Sequence, residues 1–374
     1  MSLVVAANRL ADGEGERRNA WLRISDGVIA EVGVLGEGPT PDPDVTVPLL
    51  LPGFVDLHCH GGGGASYTSA DPEQIARVVA IHRAHGTTTS HASLVSASYD
   101  DLERQIRALI PFVDDGLLRG IHLEGPWISH RYCGAHNPET LRSPASHEVA
   151  RILAVGEGRI AMVTIAPELP GAIEAIGVIV EAGAIAAIGH TGADGDTARA
   201  AIDAGATVAT HLFNAMPPLL HREAGPVGVL LSDPRVTVEL IGDGVHLDPE
   251  VIALSMSAAG GRAALVTDAM AAAGVGDGSY LIGDMRVVVT DGVARLPDGG
   301  SLAGSTLLMD AAVRRAVRLA DRSLVEASAA ASLAPARAMG LADRGLLAPG
   351  QRADLVGLDE EQRVTHVLRA GEWD

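Results

Sequence analysis

Short apolar runs alternate with longer helical patterns through the middle of the chain. Each run is rich in β-branched or small apolar residues and ends in polar ones, and an Ala/Leu-rich helical pattern follows most runs. Eight runs predict eight buried strands, at 53–60, 87–94, 120–126, 160–168, 184–191, 206–214, 237–246 and 263–270. Helical patterns lie at 71–85, 99–113, 171–182, 195–204, 249–259, 306–320 and 324–339. This alternation predicts an α/β protein with a (β/α)₈ TIM-like barrel.

The two ends of the chain follow a different pattern, in which apolar and polar positions alternate between turn residues. Residues 1–50 contain "AWLRISDGVIAEVGV", and residues 345–374 contain "RADLVGLDEEQRVTHVLRAGEWD". Such a period of two predicts half-buried strands. We therefore expect 1–50 and 345–374 to build one small β-sandwich domain. It would flank a catalytic barrel of residues 51–344 that carries a β-hairpin insert near 280–300.

Charge and composition exclude several classes of function. The net charge of −19 argues against a nucleic-acid partner and against an anionic membrane surface. No apolar run reaches the roughly 18 residues that a membrane span needs. The two cysteines form no disulfide framework, which fits a reducing, cytoplasmic location. All 28 basic residues are arginine, so mechanisms that need a lysine, including a carbamylated lysine that bridges two metals, are excluded.

Metal-binding side chains fall at the ends of successive predicted strands. Active sites of such barrels lie at the C-terminal ends of the strands. His58 and His60 end the first strand, and alternate residues of a strand face the same side. Strands 3, 5, 6 and 8 end in Glu124, His190, His211 and Asp268, respectively, and strand 7 is followed by His246. Imidazole and carboxylate ligands suit zinc, iron or manganese.

The spacing of these side chains predicts a site for one or two divalent ions, with a general base beside it. His58 and His60 form a chelating pair, and Glu124 is the best candidate for a carboxylate that bridges two ions. Asp268 fits as the general base, because a bound metal lowers the pKa of water to about 7 and a carboxylate can then take its proton. The four glycines of 61–64 are expected to leave room for substrate and to let the backbone approach closely.

Several segments together resemble a known family. "PGFVDLHCHG" resembles the first-strand signature of the amidohydrolase superfamily. Within that superfamily, the N-acetylglucosamine-6-phosphate deacetylases are similar to segments that occur in order along nearly the whole chain: "HLEGPW", "GAHNP", "IGHT", "THLFNAM", "HREAGPVG", "DGVHLDP", "LVTDAM" and "LAGSTLLMD". The resemblance implies hydrolysis of N-acetyl-D-glucosamine 6-phosphate to D-glucosamine 6-phosphate and acetate, in amino-sugar catabolism and cell-wall recycling.

The resemblance also implies a role for each candidate residue. Glu124, His190 and His211 would hold the principal metal, and His58 and His60 a second one, because family members with this histidine pair can hold two. Zinc is the first expectation, with iron, manganese, cobalt or cadmium as alternatives. Asp268 would be the catalytic acid/base, and His136 would polarise the acetyl carbonyl. Contacts with the sugar phosphate would come from Asn214, Ala215 and His246. Arg222 would contact the phosphate across a homodimer interface.

Two alternative functions stay open at this point. One is another amidohydrolase deacylase, such as an N-acyl-amino-acid deacylase or a dihydroorotase-like enzyme. The other is a non-catalytic relative that keeps the barrel as a binding module, although all five candidate ligands and Asp268 are present. The sequence leaves open the native metal, the occupancy of the second site and the oligomeric state. It also leaves open the acceptance of other N-acetylhexosamine 6-phosphates and any role of Cys133.

Overall fold

Eight parallel strands, hydrogen-bonded in chain order, form the centre of the molecule in a computed structural model that describes residues 2–38, 41–297 and 300–373. Positions 1, 39–40, 298–299 and 374 of the predicted terminal and insert segments lie outside the described residues. The eight strands are Phe54–Asp56, Thr87–Val95, Gly120–Glu124, Ile160–Ile165, Ile185–Ile188, Val208–Ala209, Thr237–Ile241 and Ala263–Val266. All eight predicted strands are confirmed, and they are numbered here as barrel strands 1 to 8.

Barrel strands 1 and 8 meet beyond their C-terminal ends. The amide of Asp268 donates to the carbonyl of His58 over 2.9 Å, and Cys59 forms a parallel bridge with Ala269. Below this point, the buried Asp56 carboxylate accepts a 2.6 Å hydrogen bond from the hydroxyl of Thr267. These contacts bring the histidine pair of strand 1 beside the aspartate that follows strand 8.

Helices surround the barrel, and polar caps begin several of them. Asp71 and Asp248 each accept a backbone hydrogen bond at a helix N-terminus and precede a proline at the first helical position. The helices are Pro72–Ala84, Tyr99–Asp114, Ser146–Val155, Ala172–Glu181, Gly195–Asp203, Gly225–Ser232, Pro249–Ala259, Met309–Arg318, Leu324–Ser328 and Ala334–Ala338, with a π-helical turn at Ala329–Leu333. The π-turn divides the helix predicted at 324–339, and the helices at 146–155 and 225–232 were not singled out by the sequence pattern.

Strands from both chain ends share one mixed sheet, which confirms that the two ends build a common β unit. Its strands are hydrogen-bonded as one seven-stranded sheet, in the spatial order Glu372–Trp373, Val364–Arg369, Leu355–Leu358, Val45–Pro52, Ser2–Asp12, Gly15–Ser25 and Val28–Val34. One face carries its own apolar cluster, which includes Leu50 and Leu355. Leu51 and Val356 on the other face belong to the barrel core, so the sheet is packed against the barrel.

A small three-stranded sheet covers part of the C-terminal end of the barrel, at the place of the predicted insert. Its strands are Gly278–Ile282, Met285–Thr290 and Val293–Arg295. Ile282 and Val287 pack with Val95 and Met270, which follow or end barrel strands. No helix in the described ranges combines the length and the apolar character that crossing a membrane requires.

Candidate active site and metal centre

A pocket of about 370 Å³ opens at the C-terminal end of the barrel. Nine of the eleven predicted site residues line it: His60, Glu124, His136, His190, His211, Asn214, Ala215, His246 and Asp268. His58 lies directly behind this wall, because its Nε2 is 2.9 Å from Nε2 of His60 and its side chain is fully buried. Arg222 is exposed in the loop after barrel strand 6, and it does not line this pocket within its own chain.

Glu124 occupies the centre of the histidine group. Its Oε1 lies 3.0 Å from Nε2 of His190 and 3.0 Å from Nε2 of His211. Its Oε2 lies 3.2 Å from Nε2 of His60, and Oε1 is 3.5 Å from Nε2 of His58. One carboxylate therefore faces both the histidines of strand 1 and those after strands 5 and 6, as a bridging ligand must.

The outward contacts of two histidines determine which ring nitrogen carries the proton. Nδ1 of His60 lies 3.2 Å from the carbonyl of Ser93, and Nδ1 of His190 lies 2.8 Å from the carbonyl of Tyr132. A carbonyl oxygen only accepts, so Nδ1 is the donor in each ring. The lone pair of Nε2 in the neutral ring then faces the centre of the site. This tautomer is the one in which histidine binds a metal through Nε2.

Glu239 supports the metal site from behind, and its role was not predicted from the sequence. It lies in barrel strand 7 with no exposed surface, and its Oε2 accepts from Nδ1 of His58 over 3.1 Å and from the amide of His211 over 3.1 Å. The Glu239 carboxylate thus orients the ring of His58 and fixes the backbone of His211. A charged residue inside the apolar segment "TVELI" was the available signal, since a buried carboxylate needs partners.

We expect substitution of Glu239 to weaken metal binding without removing a direct ligand. Outer carboxylates behind metal-binding histidines contribute about 10- to 100-fold in metal affinity. Glu239→Gln keeps an acceptor oxygen, so it should lower the metal affinity by about 10-fold. Glu239→Ala removes both oxygens and should lower the metal affinity by about 100-fold. Ions per chain, measured against a competing chelator, test this. Glu174→Gln on an exposed helix position is the matched control, and equal ion binding by Glu239→Ala and wild type would refute the role.

His136 has the opposite tautomer and is a hydrogen-bond donor toward the pocket. Its Nδ1 accepts from the amide of Ser96 over 3.1 Å, so the proton of the neutral ring is on Nε2. Burial lowers the pKa of His136 to about 4, although Glu124 acts in the other direction, and the ring is neutral at pH 7. Nε2 lies 3.2 Å from Oε2 of Glu124 and faces the pocket. This geometry suits donation to a substrate oxygen, and it argues against His136 as a metal ligand.

Asp268 lies against the histidine pair of strand 1. Its Oδ1 is 3.3 Å from Nε2 of His60 and 3.5 Å from Nε2 of His58. Burial raises the pKa of its carboxyl, but the neighbouring imidazoles of His58 and His60 outweigh burial and hold that pKa at about 2. The carboxylate is therefore ionised at neutral pH, as a general base must be before it takes a proton.

These donors fit a divalent metal. The ligand atoms of His58, His60 and Asp268 lie within 4.8 Å of one another, and those of Glu124, His136 and His190 form a second buried group. In the second group, His136 presents an N–H and not a lone pair, so the third ligand is His211, whose Nε2 is 3.0 Å from Nε2 of His190. Inward-facing imidazole nitrogens and ionised carboxylates are ligands for zinc and similar ions. The two buried groups together can hold a divalent metal.

Several of these residues have a strained backbone. His190, His211 and Asp268 have φ angles of 47°, 27° and 47°, in the left-handed region that residues other than glycine seldom adopt. Each follows a barrel strand and points its side chain into the pocket. Such strain is found at functional sites, where the surrounding structure fixes an otherwise unfavourable conformation.

The remaining pocket wall comes from loops. Asn214 donates from Nδ2 to the carbonyl of His211 over 3.2 Å, which fixes its position beside Ala215. His246 is held by Asp243, whose Oδ2 is 2.7 Å from its Nδ1. Ile282 of the small sheet forms another part of the wall. The substrate side of the pocket thus combines hydrogen-bonding groups with an apolar cover.

The glycines after His60 do not line this pocket, which corrects one expectation. They allow a close approach of the backbone instead. The amide of Gly61 donates to Ala269, and a Cβ at Gly61 would lie 2.5 Å from the carbonyl oxygen of Ala65. A Cβ at Gly62 would lie 2.9 Å from His82. The glycine segment therefore connects strand 1 to the backbone after strand 8 and lies outside the substrate pocket.

Residues 49–373 match the Amidohydrolase family. The chain therefore belongs to the amidohydrolase family, in agreement with its barrel and its metal site. Within the family, it is similar to deacetylases of N-acetylated amino-sugar phosphates, which confirms the resemblance found in the sequence.

Three of these relatives cover nearly the whole chain. The N-acetylgalactosamine-6-phosphate deacetylase of Escherichia coli O157:H7 is 36% identical over 100% of this chain and 99% of its own. The N-acetylglucosamine-6-phosphate deacetylase of Lysinibacillus sphaericus is 32% identical over 96% and 94%. A mutant N-acetyl-D-glucosamine-6-phosphate deacetylase of Mycobacterium smegmatis, solved in complex with N-acetyl-D-glucosamine-6-phosphate, is 47% identical over 100% and 99%, with a TM-score of 0.96.

Proposed function

We propose that this chain hydrolyses the acetamide of N-acetyl-D-glucosamine 6-phosphate, releasing D-glucosamine 6-phosphate and acetate. The observation that carries the proposal is the convergence of an ionised Asp268, an Nε2–H of His136 and a histidine-rich metal site in one pocket. The Mycobacterium smegmatis enzyme, with the same fold and 47% identity, binds that sugar phosphate. Acetate release from the phosphorylated and the unphosphorylated sugar tests the proposal.

The metal site divides into a principal and a second position. Glu124, His190 and His211 would hold the principal ion, and His58 and His60 the second. Zinc suits this donor set best, with iron, manganese, cobalt or cadmium as alternatives, and each subunit would hold one or two ions. A divalent ion supplies Lewis-acid polarisation of the acetyl carbonyl and lowers the pKa of a water molecule that it binds.

The protein groups supply orientation and proton transfer. His136 donates from Nε2 to the acetyl oxygen, on which negative charge develops, and the amide of Ser96 keeps its proton on that nitrogen. Asp268 takes a proton from the attacking water and delivers it to the departing amine. The C–N bond breaks, water supplies the new C–O bond, and no covalent enzyme intermediate is formed.

The phosphate would be bound by loop groups and by a second subunit. Asn214, Ala215 and His246 line one side of the pocket. Arg222 is exposed and away from the pocket of its own chain, which is the placement expected of a residue that reaches the active site of a neighbouring subunit in a homodimer. A guanidinium matches phosphate geometry, and it provides the positive charge that an acidic protein needs locally.

Arg222→Ala should raise KM for the phosphorylated sugar by about 10- to 100-fold, because a charge-assisted hydrogen bond contributes about 1.5–3 kcal/mol. KM for N-acetylglucosamine should change little. Steady-state kinetics on both sugars check the difference, and equal effects would remove the phosphate role.

Mixed Arg222→Ala and Asp268→Asn chains should regain some activity if Arg222 acts across subunits. No regain despite proven subunit exchange would place it in its own chain's site.

A second candidate substrate is N-acetyl-D-galactosamine 6-phosphate. The Escherichia coli relative named for that sugar phosphate is 36% identical over the full length of both chains. The two sugars differ only in the configuration of one hydroxyl, so the same metal site and the same base serve both. A comparison of kcat/KM for the two phosphorylated sugars decides between them.

The proposal includes a cytoplasmic location and no nucleic-acid or membrane partner. Both cysteines, Cys59 and Cys133, are free, as in a reducing compartment. The net charge of −19 repels nucleic acid and anionic lipid.

A further inference from the structure

A second polar cavity, of about 190 Å³, lies at the end of the barrel opposite the metal ligands. Its walls include Thr88 and Thr89 at the start of barrel strand 2. Four arginines from three separate segments also line it: Arg119, Arg344, Arg352 and Arg369. In a chain with a net charge of −19, four guanidinium groups around one small cavity are a local cluster of positive charge, which Asp343 and Asp354 compensate in part.

Two of the four guanidinium groups are held in place by carboxylates. Nε of Arg352 is 2.9 Å from Oδ1 of Asp354, and Nη2 of Arg344 is 2.9 Å from Oδ2 of Asp343. Nη1 of Arg344 also donates to the hydroxyl of Thr89 over 3.0 Å. The side chains of Arg344 and Arg352 are only 14% and 26% exposed. Their donor groups are thus positioned at the cavity before any ligand arrives.

The other two arginines add positive charge to the same space. Arg369 donates to the carbonyls of Thr88 and Gly116. The side chain of Arg119 forms no hydrogen bond or ion pair with any residue in the described ranges. Contacts of Arg344 and Arg369 connect the terminal sheet to the barrel, but that structural role does not explain the Arg119 side chain.

We propose that this cavity binds a phosphoryl group, either as inorganic phosphate or as the phosphate of a small sugar phosphate. Planar guanidinium donors match phosphate oxygens in geometry and charge, and the Thr89 hydroxyl provides a further polar group. An anion compensates the charge of Arg119, whose side chain has no ion-pair partner among the described residues. The site is separate from the substrate pocket and does not depend on the proposed function.

The position of the cavity connects it to the active site through two strands. Barrel strand 2 begins at this cavity and leads to Ser93, which accepts from His60. Barrel strand 3 begins beside Arg119 and ends at Glu124. A bound phosphoryl group therefore contacts the start of both strands and should stabilise the folded barrel.

Calorimetric titration of the metal-loaded, full-length protein with inorganic phosphate, at constant ionic strength, tests the proposal. Arg119→Glu is the main variant, because an exposed side chain without a partner can be changed without loss of the fold. Arg119→Lys keeps the positive charge. Arg104→Glu, on an exposed helix position, controls for the same change in net charge, and Arg222→Glu controls for phosphate bound in the substrate pocket.

We expect Arg119→Glu to weaken phosphate binding by at least about tenfold. Arg119→Lys should bind phosphate about as tightly as wild type. The controls Arg104→Glu and Arg222→Glu should still bind phosphate in the second cavity. The proposal is overturned if wild type shows no saturable binding, if Arg119→Glu binds like Arg104→Glu, or if Arg222→Glu removes all binding. Titration of the Arg222→Glu protein with glucosamine 6-phosphate distinguishes the two sources. Tighter binding than inorganic phosphate that is lost when Arg119→Glu is added to the same chain identifies a sugar phosphate, and weaker binding identifies the free ion.

Discussion

Asp268→Asn is expected to lower kcat for N-acetylglucosamine 6-phosphate by about 10³-fold or more while KM changes little, since general acid–base groups contribute about 10²–10⁴-fold. Asparagine keeps the shape of the side chain but cannot take a proton from water. The oxygen that lies 3.3 Å from Nε2 of His60 can be retained, so the fold and the histidine arrangement should persist. Acetate release over a range of substrate concentrations gives kcat and KM separately.

Metal content must be measured on the same preparation, because Asp268 also lies within the donor group of His58 and His60. We expect the ions bound to the Glu124 group to remain. Asp196→Asn, an exposed aspartate on a helix, is the matched control and should behave as wild type. A kcat within tenfold of wild type for Asp268→Asn would show that another group transfers the proton.

Glu124→Gln is expected to abolish tight metal binding and, with it, measurable turnover. Both oxygens of this carboxylate are used, Oε1 toward His190 and His211 and Oε2 toward His60. The amide of glutamine is neutral, and one of its two positions is a donor that repels a cation. Because loss of an outer supporting carboxylate already costs about 10- to 100-fold in metal affinity, loss of this central one should exceed about 100-fold.

Ions per chain after dialysis, with activity measured at rising zinc concentration, check this second prediction. Glu174→Gln carries the same chemical change at an exposed position and should keep full metal content. Full ion occupancy in Glu124→Gln would mean that the histidines alone hold the metal. Loss of only one of two ions would assign Glu124 to one position and remove the bridging role.

The barrel could be predicted because most of its strands are short, largely apolar or β-branched runs that end in polar residues. The segment that leads to His190 shows this, since Ile185–Ile188 is apolar and the histidine follows two positions later. Local pattern also predicted strands at both chain ends. It also predicted one β unit built from both ends, but not the order in which the strands pair in the seven-stranded sheet, because strand partners far apart in sequence are chosen by packing. We propose 1–50 with 345–374, and 51–344, as the two structural units.

The finer chemistry of the site depends on contacts that no local pattern contains. His136 acquires its donor tautomer from the amide of Ser96, a residue forty positions earlier. Glu239 receives its partners from strands 1 and 6, so its role required the closed barrel. Arg119 likewise lies far along the chain from the other three arginines around the second cavity. Tertiary proximity, and not residue type, gives these groups their function.

The most direct test of the account measures acetate released from N-acetylglucosamine 6-phosphate and from N-acetylglucosamine, on one preparation of known metal content. The account predicts strong turnover of the phosphorylated sugar, little turnover of the other, loss of activity on chelation, and recovery with zinc or another divalent ion. A protein that binds metal at the Glu124 site but releases acetate from neither sugar would contradict the proposed function and leave only the amidohydrolase barrel.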